Sequence, residues 1–412
     1  MMNENKRHNL EINDSQFTIR HSCIPKLRFP EFRDAGPWEV KRLGEVGPVS
    51  MCKRVMKAQT APTGDVPFYK IGTFGNQADA YISRELYDEF KSKHPFPKKG
   101  DILISAAGTI GRTVVFDGKP AYFQDSNIVW IANDEKIASN KFLNFAYQMV
   151  EWQTDDNTIS RLYNENLRSI KIPLPSFPEQ QKIADCLSSL GDLIRAEESR
   201  LEALQAHKKG LMQQLFPREG ETTPHRRFPE FRDAGPWEVK KVGEIFRVTR
   251  GNVLATSLIS DNVSVKTPYP VYSSQTKNNG LLGYYSDFLY EDSITWTTDG
   301  ANAGDVKFRK GKFYCTNVCG VLINEEGYAN TFVAELLNSV TRKHVSYVGN
   351  PKLMNGVMAQ IEIPLPTIEE QQKIADCLSS LDGLIQAKSE RIDALKQHKK
   401  GLMQQLFPQE AG

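Results

Sequence analysis

IPLPSFPEQQKIADCLSSL at residues 172–190 returns as IPLPTIEEQQKIADCLSSL at 363–381, so the chain writes one helix start twice, 191 residues apart. After Pro178, apolar residues fall at Ile183, Leu187, Leu190, Ile194, Leu201, Leu204, Leu211 and Leu215. The second copy places Ile374, Leu378, Leu381, Ile385, Ile392, Leu395, Leu402 and Leu406 in the same way. Alternating steps of four and three are the seam of a coiled coil, and they predict long helices over 178–217 and 369–408. Charges interrupt both seams at equivalent places, Glu197 and Lys388 at the middle and Lys208 and Lys399 nearer the ends. Opposite charges at the middle would favour the first helix pairing with the second over either pairing with itself. The alternative is that both side chains snorkel out of the seam. Gly210 and Gly401 lie inside the pattern at a cost of roughly 1 kcal/mol each against alanine, either to let another backbone approach or where the helices fray.

Outward from the helices the duplication continues. KKGLMQQLFP closes both, at 208–217 and 399–408, and RFPEFRDAGPWEVK stands at 28–41 and again, letter for letter, at 227–240. Repeats of nearly 200 residues are too long for a solenoid unit, so each is a domain with an appended helix in a pseudo-two-fold chain. The regions between, 42–171 and 241–362, share a fainter skeleton. GDILISAAGTIGRTVVFDGKPAYFQDSNIVWI (100–131) and EDSITWTTDGANAGDVKFRKGKFYCTNVCGVLI (291–323) both run strand, glycine-rich turn, strand, basic turn, strand. FLNFAYQMVEW (142–152) and FVAELLNSV (332–340) read as helices closing each sheet. The expectation is α+β, with mostly antiparallel curved sheets. Its divisions are an N-terminal arm over 1–26, domains over 27–177 and 218–368, and helices over 178–217 and 369–408.

The 412 residues carry 52 Lys plus Arg against 50 Asp plus Glu, with 40% hydrophobic and 25% charged residues, as in ordinary globular protein of two or three domains. No apolar run approaches a membrane span, and the polar start MMNENKRHNLEINDSQ lacks the apolar stretch of a signal peptide. It reads as a disordered arm on a cytoplasmic protein. The six cysteines are scattered and propose no disulfide framework. Cys315 and Cys319 lack a second Cys or His pair for zinc and read as packing thiols.

Catalytic signatures are missing: no phosphate loop, no G-x-G-x-x-G after a strand, no H-E-x-x-H and no G-x-S-x-G elbow. Asp65 with Glu89 and Lys91 is the nearest approach to a metal nuclease, a pattern loose enough to arise by chance. His207 and His398 are repeat mates and read as solvated helix residues.

The RFPEF…WE block, IPLP-x(3)-EQQKIA, KKGLMQQLF and the duplication of all three closely resemble the specificity subunit of type I restriction–modification systems, over nearly the whole chain. The resemblance implies two target-recognition domains held apart by two antiparallel helices, each domain reading one half of a bipartite site in double-stranded DNA. It implies a subunit without catalysis. Two modification subunits would supply S-adenosylmethionine-dependent adenine methylation with base flipping, and two restriction subunits ATP-driven translocation and Mg-dependent cleavage. This chain would bind no cofactor or metal of its own.

Base reading needs side chains on loops, with Lys and Arg on phosphates around them. In the first domain the candidates are Lys53, Arg54 and Lys57, then Tyr69, Lys70 and Thr73 in YKIGTF, Ser105, Thr109 and Arg112 in the following turn, and Gln124, Ser126 and Asn127. In the second they are Tyr272, Ser273, Ser274, Gln275 and Lys277, Asn279, then Thr297, Thr298 and Asn302 in TTDGAN, Lys307, Arg309, Thr316 and Asn317. Arg161 and Lys352 are repeat mates suited to phosphate contacts. Trp38 and Trp237, identical in the two copies, read as packing residues. A coiled-coil scaffold without DNA readout and a self-sufficient nuclease are the competing readings. Residues 37–177 hold 18 basic and 16 acidic side chains and residues 236–368 hold 13 and 12, so neither domain is strongly basic. Much of the electrostatic grip on DNA is therefore expected from partners.

Overall fold

The computed structural model describes residues 23–152, 161–274 and 277–408. The first repeat runs β1 (Glu39–Arg42), α1 (Leu43–Val46), β2 (Val49–Ser50), β3 (Val66–Tyr69), β4 (Tyr81–Ile82), α2 (Arg84–Lys93), β5 (Ile102–Ser105) and β6 (Thr113–Val115). It continues through β7 (Tyr122–Phe123), β8 (Ile128–Ile131), α3 (Asn140–Ala146), α4 (Asn164–Ser169) and β9 (Lys171–Leu174) into the long helix α5 (Phe177–Leu215). The second runs β10 (Glu238–Lys241), α6 (Val242–Ile245), β11 (Arg247–Arg250), β12 (Tyr269–Tyr272), β13 (Leu281–Tyr285), β14 (Tyr290–Thr297), β15 (Val306–Cys315) and β16 (Cys319–Ile323). Then come α7 (Thr331–Val340), α8 (Asn355–Gln360), β17 (Glu362–Leu365) and the long helix α9 (Ile368–Leu406).

The two repeats share one strand plan. The first pairs its strands in the orders β2-β8-β5-β6 and β4-β3-β7, the second as one sheet β11-β16-β14-β15-β12-β13, and β1-β9 and β10-β17 form separate antiparallel pairs. All pairings are antiparallel except β3 with β7 and β12 with β15. The sheets differ in the segment between β6 and β7, which is a turn through Gly118 in the first and continuous strand in the second. Pro120, two residues before Tyr122, lacks the N–H a ladder needs, so β6 and β7 remain separate pieces. Lys312, two residues before Tyr314, pairs with Glu291 and keeps β15 whole.

By contacts the chain divides into two compact units, 1–196 with 392–412, and 197–391. Each long helix is therefore shared between units, where the sequence-based divisions set each helix apart as a segment of its own. In the first unit Ile102, Ile104, Val129 and Ile131 on one sheet face pack with Phe142, Leu143, Ile183, Leu187, Leu406 and Phe407. The alternate residues Leu103, Ile128 and Trp130 pack on the other face with Val66, Phe68 and Phe116, the period of two expected of strands. In the second unit Ile294, Trp296 and Leu322 pack with Phe332, Val333, Leu215, Phe216, Ile374 and Leu378.

The duplicated motifs are the clamps of this packing. Arg28 Nε and Nη2 donate to the two carboxylate oxygens of Glu179 at 2.8 and 2.7 Å, and both residues are buried. Arg227 grips Glu370 in the same bidentate way. Gln180 Nε2 donates to the carbonyls of Ile137 and Pro175 while its Oε1 accepts from the Ser139 N–H, and Gln371 accepts from Asn330 and donates to Pro366. The Glu-Gln of EQQKIA thus joins the RFPEF block and the sheet domain to the first turn of the helix. Trp38 lies edge-on to Phe142 and Phe407, and Trp237 to Phe332, both indoles in the cores as packing residues.

All sixteen expected seam side chains are buried or half-buried, and the two helices run antiparallel within each unit. At the middle the charges pair rather than snorkel: Lys388 Nζ donates to the buried Glu197 carboxylate at 2.7 Å, with Arg200 and Arg391 at 3.5 and 3.7 Å. Lys208 meets Glu335 and Asp382 at 2.7 and 2.8 Å. Its repeat mate Lys399 lies instead over the Phe145 ring, 5.4 Å from the centroid.

Four local expectations are corrected. The helices occupy 177–215 and 368–406, so each begins one residue earlier and ends two earlier than the pattern suggested. The helix expected over 142–152 is Asn140–Ala146, started by the Ser139 cap on the Phe142 N–H. Beyond it the chain turns, setting Trp152 against Tyr147 and under Gly111. The arm drawn over 1–26 falls outside the described residues as far as residue 22, but Cys23 is buried and accepts from the Trp38 N–H at 2.9 Å, so 23–26 belong to the packed domain. Among the described residues no backbone approaches Gly210 or Gly401, since nothing lies within 4 Å of where a Cβ would stand.

Candidate nucleic-acid interface

In the first unit the ends of β3, β5 and β7 bring four candidate loops together. Arg112 Nη1 donates to the Phe74 carbonyl at 2.8 Å, tying the glycine-rich turn to YKIGTF. Gln124 Oε1 accepts from the Ile71 N–H at 2.9 Å, and Tyr69 stacks on Phe123. Ser105 is buried: its Oγ accepts from the Arg112 N–H at 2.9 Å and donates to the Thr109 carbonyl at 2.5 Å, closing the turn that carries Thr109. Ser105 therefore shapes the turn and offers no free edge. Arg161 bridges Ala107 through the backbone and donates from Nη2 to the Ser126 carbonyl at 3.1 Å. Asn127 follows Ser126 on the same bend, half-buried, its N–H donating to the Asp125 carbonyl. Arg54 reaches the same place through Asp125 at 2.8 Å, and Lys53 through its carbonyl, which accepts from Tyr122 Oη at 3.0 Å.

Three first-domain candidates are placed differently from the rest. Lys70 already has a counter-charge in Asp79 at 2.8 Å, and the Thr73 hydroxyl accepts from the Lys70 N–H to close a short turn. Lys57 stands on a separate exposed turn, Lys57–Gln59.

The second unit assembles the corresponding end. Thr316 and Ser273 share a hydroxyl hydrogen bond of 3.0 Å, and Asn302 Nδ2 donates to the Ser274 carbonyl at 3.4 Å. Thr298 is buried and its hydroxyl donates to the Val318 carbonyl at 3.0 Å; Thr297 and Thr316 are buried as well, and the hydroxyls of Thr298 and Thr316 hold the loops in place. The mate of Arg161, Lys352, bridges Asp299 as Arg161 bridges Ala107, with its Nζ 3.8 Å from the Asp299 carboxylate. Asn317 is exposed and its carbonyl accepts from Arg250 Nη2 at 3.0 Å. Arg309, buried, lies over the Tyr272 ring, and Lys307 and Asn279 are hydrogen-bonded to one another. Gln275 lies outside the described residues, as does the side chain of Lys277.

Sequence reasoning missed three residues of these surfaces. Asp125 and Asp299 are carboxylates that hold the basic candidates in position, and Arg250 ends β11 beside Asn317. Their only signal was their place next to glycine-rich or basic turns. The hairpin around Tyr347 and Val348 also stands beside TTDGAN, joined by the Gly300 N–H to the Pro351 carbonyl, with both side chains exposed.

The nuclease trio is not assembled. Asp65 accepts from the Arg84 N–H, Glu89 pairs with Lys93, and Lys91 donates to Tyr87 Oη. Among the described residues no group of three or more His, Cys, Asp or Glu side chains could hold a metal ion, and no helix is long and apolar enough to cross a membrane. Burial pushes the Cys315 thiol up and that of Cys319 up to about 11, as packing thiols require. His207 and His398 are exposed on the helices.

A domain family described as the type I restriction modification DNA specificity domain matches residues 36–206 and again 235–397. A Haemophilus influenzae protein named as a type I restriction enzyme specificity subunit is 58% identical over 156 residues, 38% of this chain and 40% of that protein. The type I restriction enzyme MpnII specificity subunit of Mycoplasma pneumoniae is 38% identical over 152 residues, 36% of this chain and 45% of that one. These matches span under half the length of either relative. The crystal structure of the type I restriction–modification S subunit from M. genitalium superposes with a TM-score of 0.66 at 17% identity, covering 94% of this chain and 100% of that one. At that identity the likeness is one of fold.

Proposed function

The chain belongs to the type I restriction–modification DNA specificity family, and from that premise we propose that its two domains each read one half of a bipartite site in double-stranded DNA. One observation carries the reading. The residues that clamp each sheet domain to its helix, Arg28 with Glu179 and Arg227 with Glu370, are identical in the two repeats, whereas the loops gathered at the ends of β3, β5 and β7 and of β12, β14 and β15 differ almost completely. Constant clamps suit identical partners, and unlike loops suit unlike sequences.

In this reading the chain carries no catalytic centre. Two modification subunits dock on it with S-adenosylmethionine, and two restriction subunits bring ATP and Mg, all in the cytoplasm. Arg54, Arg112, Arg161, Arg250 and Lys352 lie around the loop clusters as phosphate contacts, and Thr109, Gln124, Asn302 and Asn317 stand closer to base edges. Exchanging residues 42–171 for the corresponding region of a relative should alter one half of the methylated motif and leave the other as it was. A motif altered in both halves would sink the division of labour, and methylation without a split motif would favour the scaffold reading.

A further inference from the structure

The strand plan permits a residue-by-residue comparison of the two sheets. Ile104 pairs with Thr113 and Val129, as Trp296 pairs with Val306 and Gly320. One step along each ladder, Leu103 pairs with Val114 and Trp130 in the first sheet, and Thr295 with Lys307 and Val321 in the second. Two residues beyond Val114 is Phe116, buried against Phe96 and Phe123; two beyond Lys307 is Arg309. Leu103, Val114 and Phe116 belong to the apolar cluster on the sheet face turned away from the long helices. The second repeat has put Thr295, Lys307 and Arg309 in their places, and among the described residues the buried cluster there is Phe313, Cys315, Cys319 and Val321, with Tyr272, Tyr290 and Ile323 packed against it.

The polar replacements line a narrow pocket with Ser273, Thr297 and Asp305. Arg309 is 6% exposed, its guanidinium carbon 3.8 Å from the Tyr272 ring centroid. Nε donates to Thr295 Oγ1 at 3.1 Å and Nη1 to the Asn279 carbonyl at 2.8 Å. Among the described residues no carboxylate pairs with it. Burial lowers the pKa of both Arg309 and Lys307, and for Lys307 the adjacent guanidinium lowers it further. Buried charge without a counter-charge is costly, and the first repeat shows that the fold is satisfied by phenylalanine at this place. Stacking on Tyr272 fixes the plane of the guanidinium as a preorganised donor.

We propose that the mouth of this pocket, too narrow at about 20 Å³ to admit a base, reads the edge of a guanine of the second half-site, with Arg309 and Lys307 donating toward its O6 and N7 acceptors. The assignment rests on the reading of residues 241–362 as a DNA-recognition domain. A base edge is favoured over a phosphate because the Asp305 carboxylate, held by Arg342 at 2.9 Å, lines the same pocket as an acceptor. A carboxylate oxygen and a phosphate oxygen are both acceptors with no proton to share, whereas the cytosine amine of a G·C pair donates.

The test uses the full chain in its host with its methyltransferase, reading the methylated motif genome-wide for Arg309→Phe, which installs the first repeat's residue, and for the half-buried Lys307→Met. Both variants should keep the wild-type melting temperature and the first half-site, and lose at least tenfold preference for guanine at one position of the second. A wild-type motif from either folded variant overturns the pocket. So does methylation that falls evenly at every site with the motif intact, which is the signature of a phosphate contact. Should Arg309→Phe fail to fold, Lys307→Met alone decides. A parallel exchange of 241–362 separates the two claims: if that exchange leaves the second half-site unchanged, the recognition reading itself has failed.

Discussion

The residue-scale surprise is that the most repeated letters hold the chain together. Arg28 and Glu179 are buried, bidentate and far apart in sequence, and Arg227 and Glu370 repeat them. Removing one partner of such a pair leaves an uncompensated charge, so Glu179→Ala or Glu370→Ala should cost about 3–5 kcal/mol in denaturant unfolding. Replacing both partners by leucine and methionine should cost far less, because the desolvation of both charges disappears with them. The sequence flagged these positions by repetition, but a repeated Arg and a repeated Glu 151 residues apart say nothing of contact. Arg309 was legible only as a basic residue near a turn, since its burial and missing counter-charge depend on strands distant in sequence.

Among elements, the helices were the most legible, because a seam with steps of four and three is a local pattern that sixteen side chains obey. Their central charge is now specific: Glu197 meets its own repeat mate, Lys388. If either helix instead paired with its own copy in this register, like charges would be buried together. Lys388→Glu should therefore lower the melting temperature sharply, and adding Glu197→Lys should restore part of the loss, with Arg200 and Arg391 opposing full recovery. Lys388 holds the Glu197 carboxyl below its ordinary 4.5, so the pair contributes fully above that pH and is lost as pH falls through the lower folded value. The variant with leucine at both positions should accordingly show a shallower loss of stability between neutral and acid pH in thermal melts. Gly401→Ala, with open space around the missing Cβ, should add roughly 1 kcal/mol to the stability of the chain. If the same change weakens assembly in a pull-down with the modification subunit, a partner backbone occupies that space. The strands were less legible than the helices. A proline at 120 divides one sheet, a difference of pairing that alternating Val, Ile, Tyr and Phe do not announce.

For the whole molecule, charge sets an expectation about affinity. Each recognition region is nearly neutral, and several of its basic side chains already have carboxylate partners, among them Arg54 with Asp125 and Lys70 with Asp79. The purified chain alone should therefore bind duplex DNA weakly, with a shallow dependence on salt in fluorescence anisotropy. The complex with its modification subunits should show a much steeper slope, because counter-ion release scales with the phosphates neutralised. Equal slopes would place the grip on this chain instead.

Duplication, helix periodicity and the absence of catalytic motifs were written in the sequence, because each is a pattern of neighbours or of identical letters. With the family resemblance they determined the two-domain plan and pointed to the DNA-reading role proposed for it. The tertiary structure alone decided which candidates gather at one end, which serines and threonines are consumed in holding loops, and where a polar pocket has replaced an apolar cluster. Those outcomes depend on burial and on pairing between distant strands. A side chain's letter is the same whether it faces water, a hydrogen-bond partner or an empty pocket, and only the fold distinguishes the three.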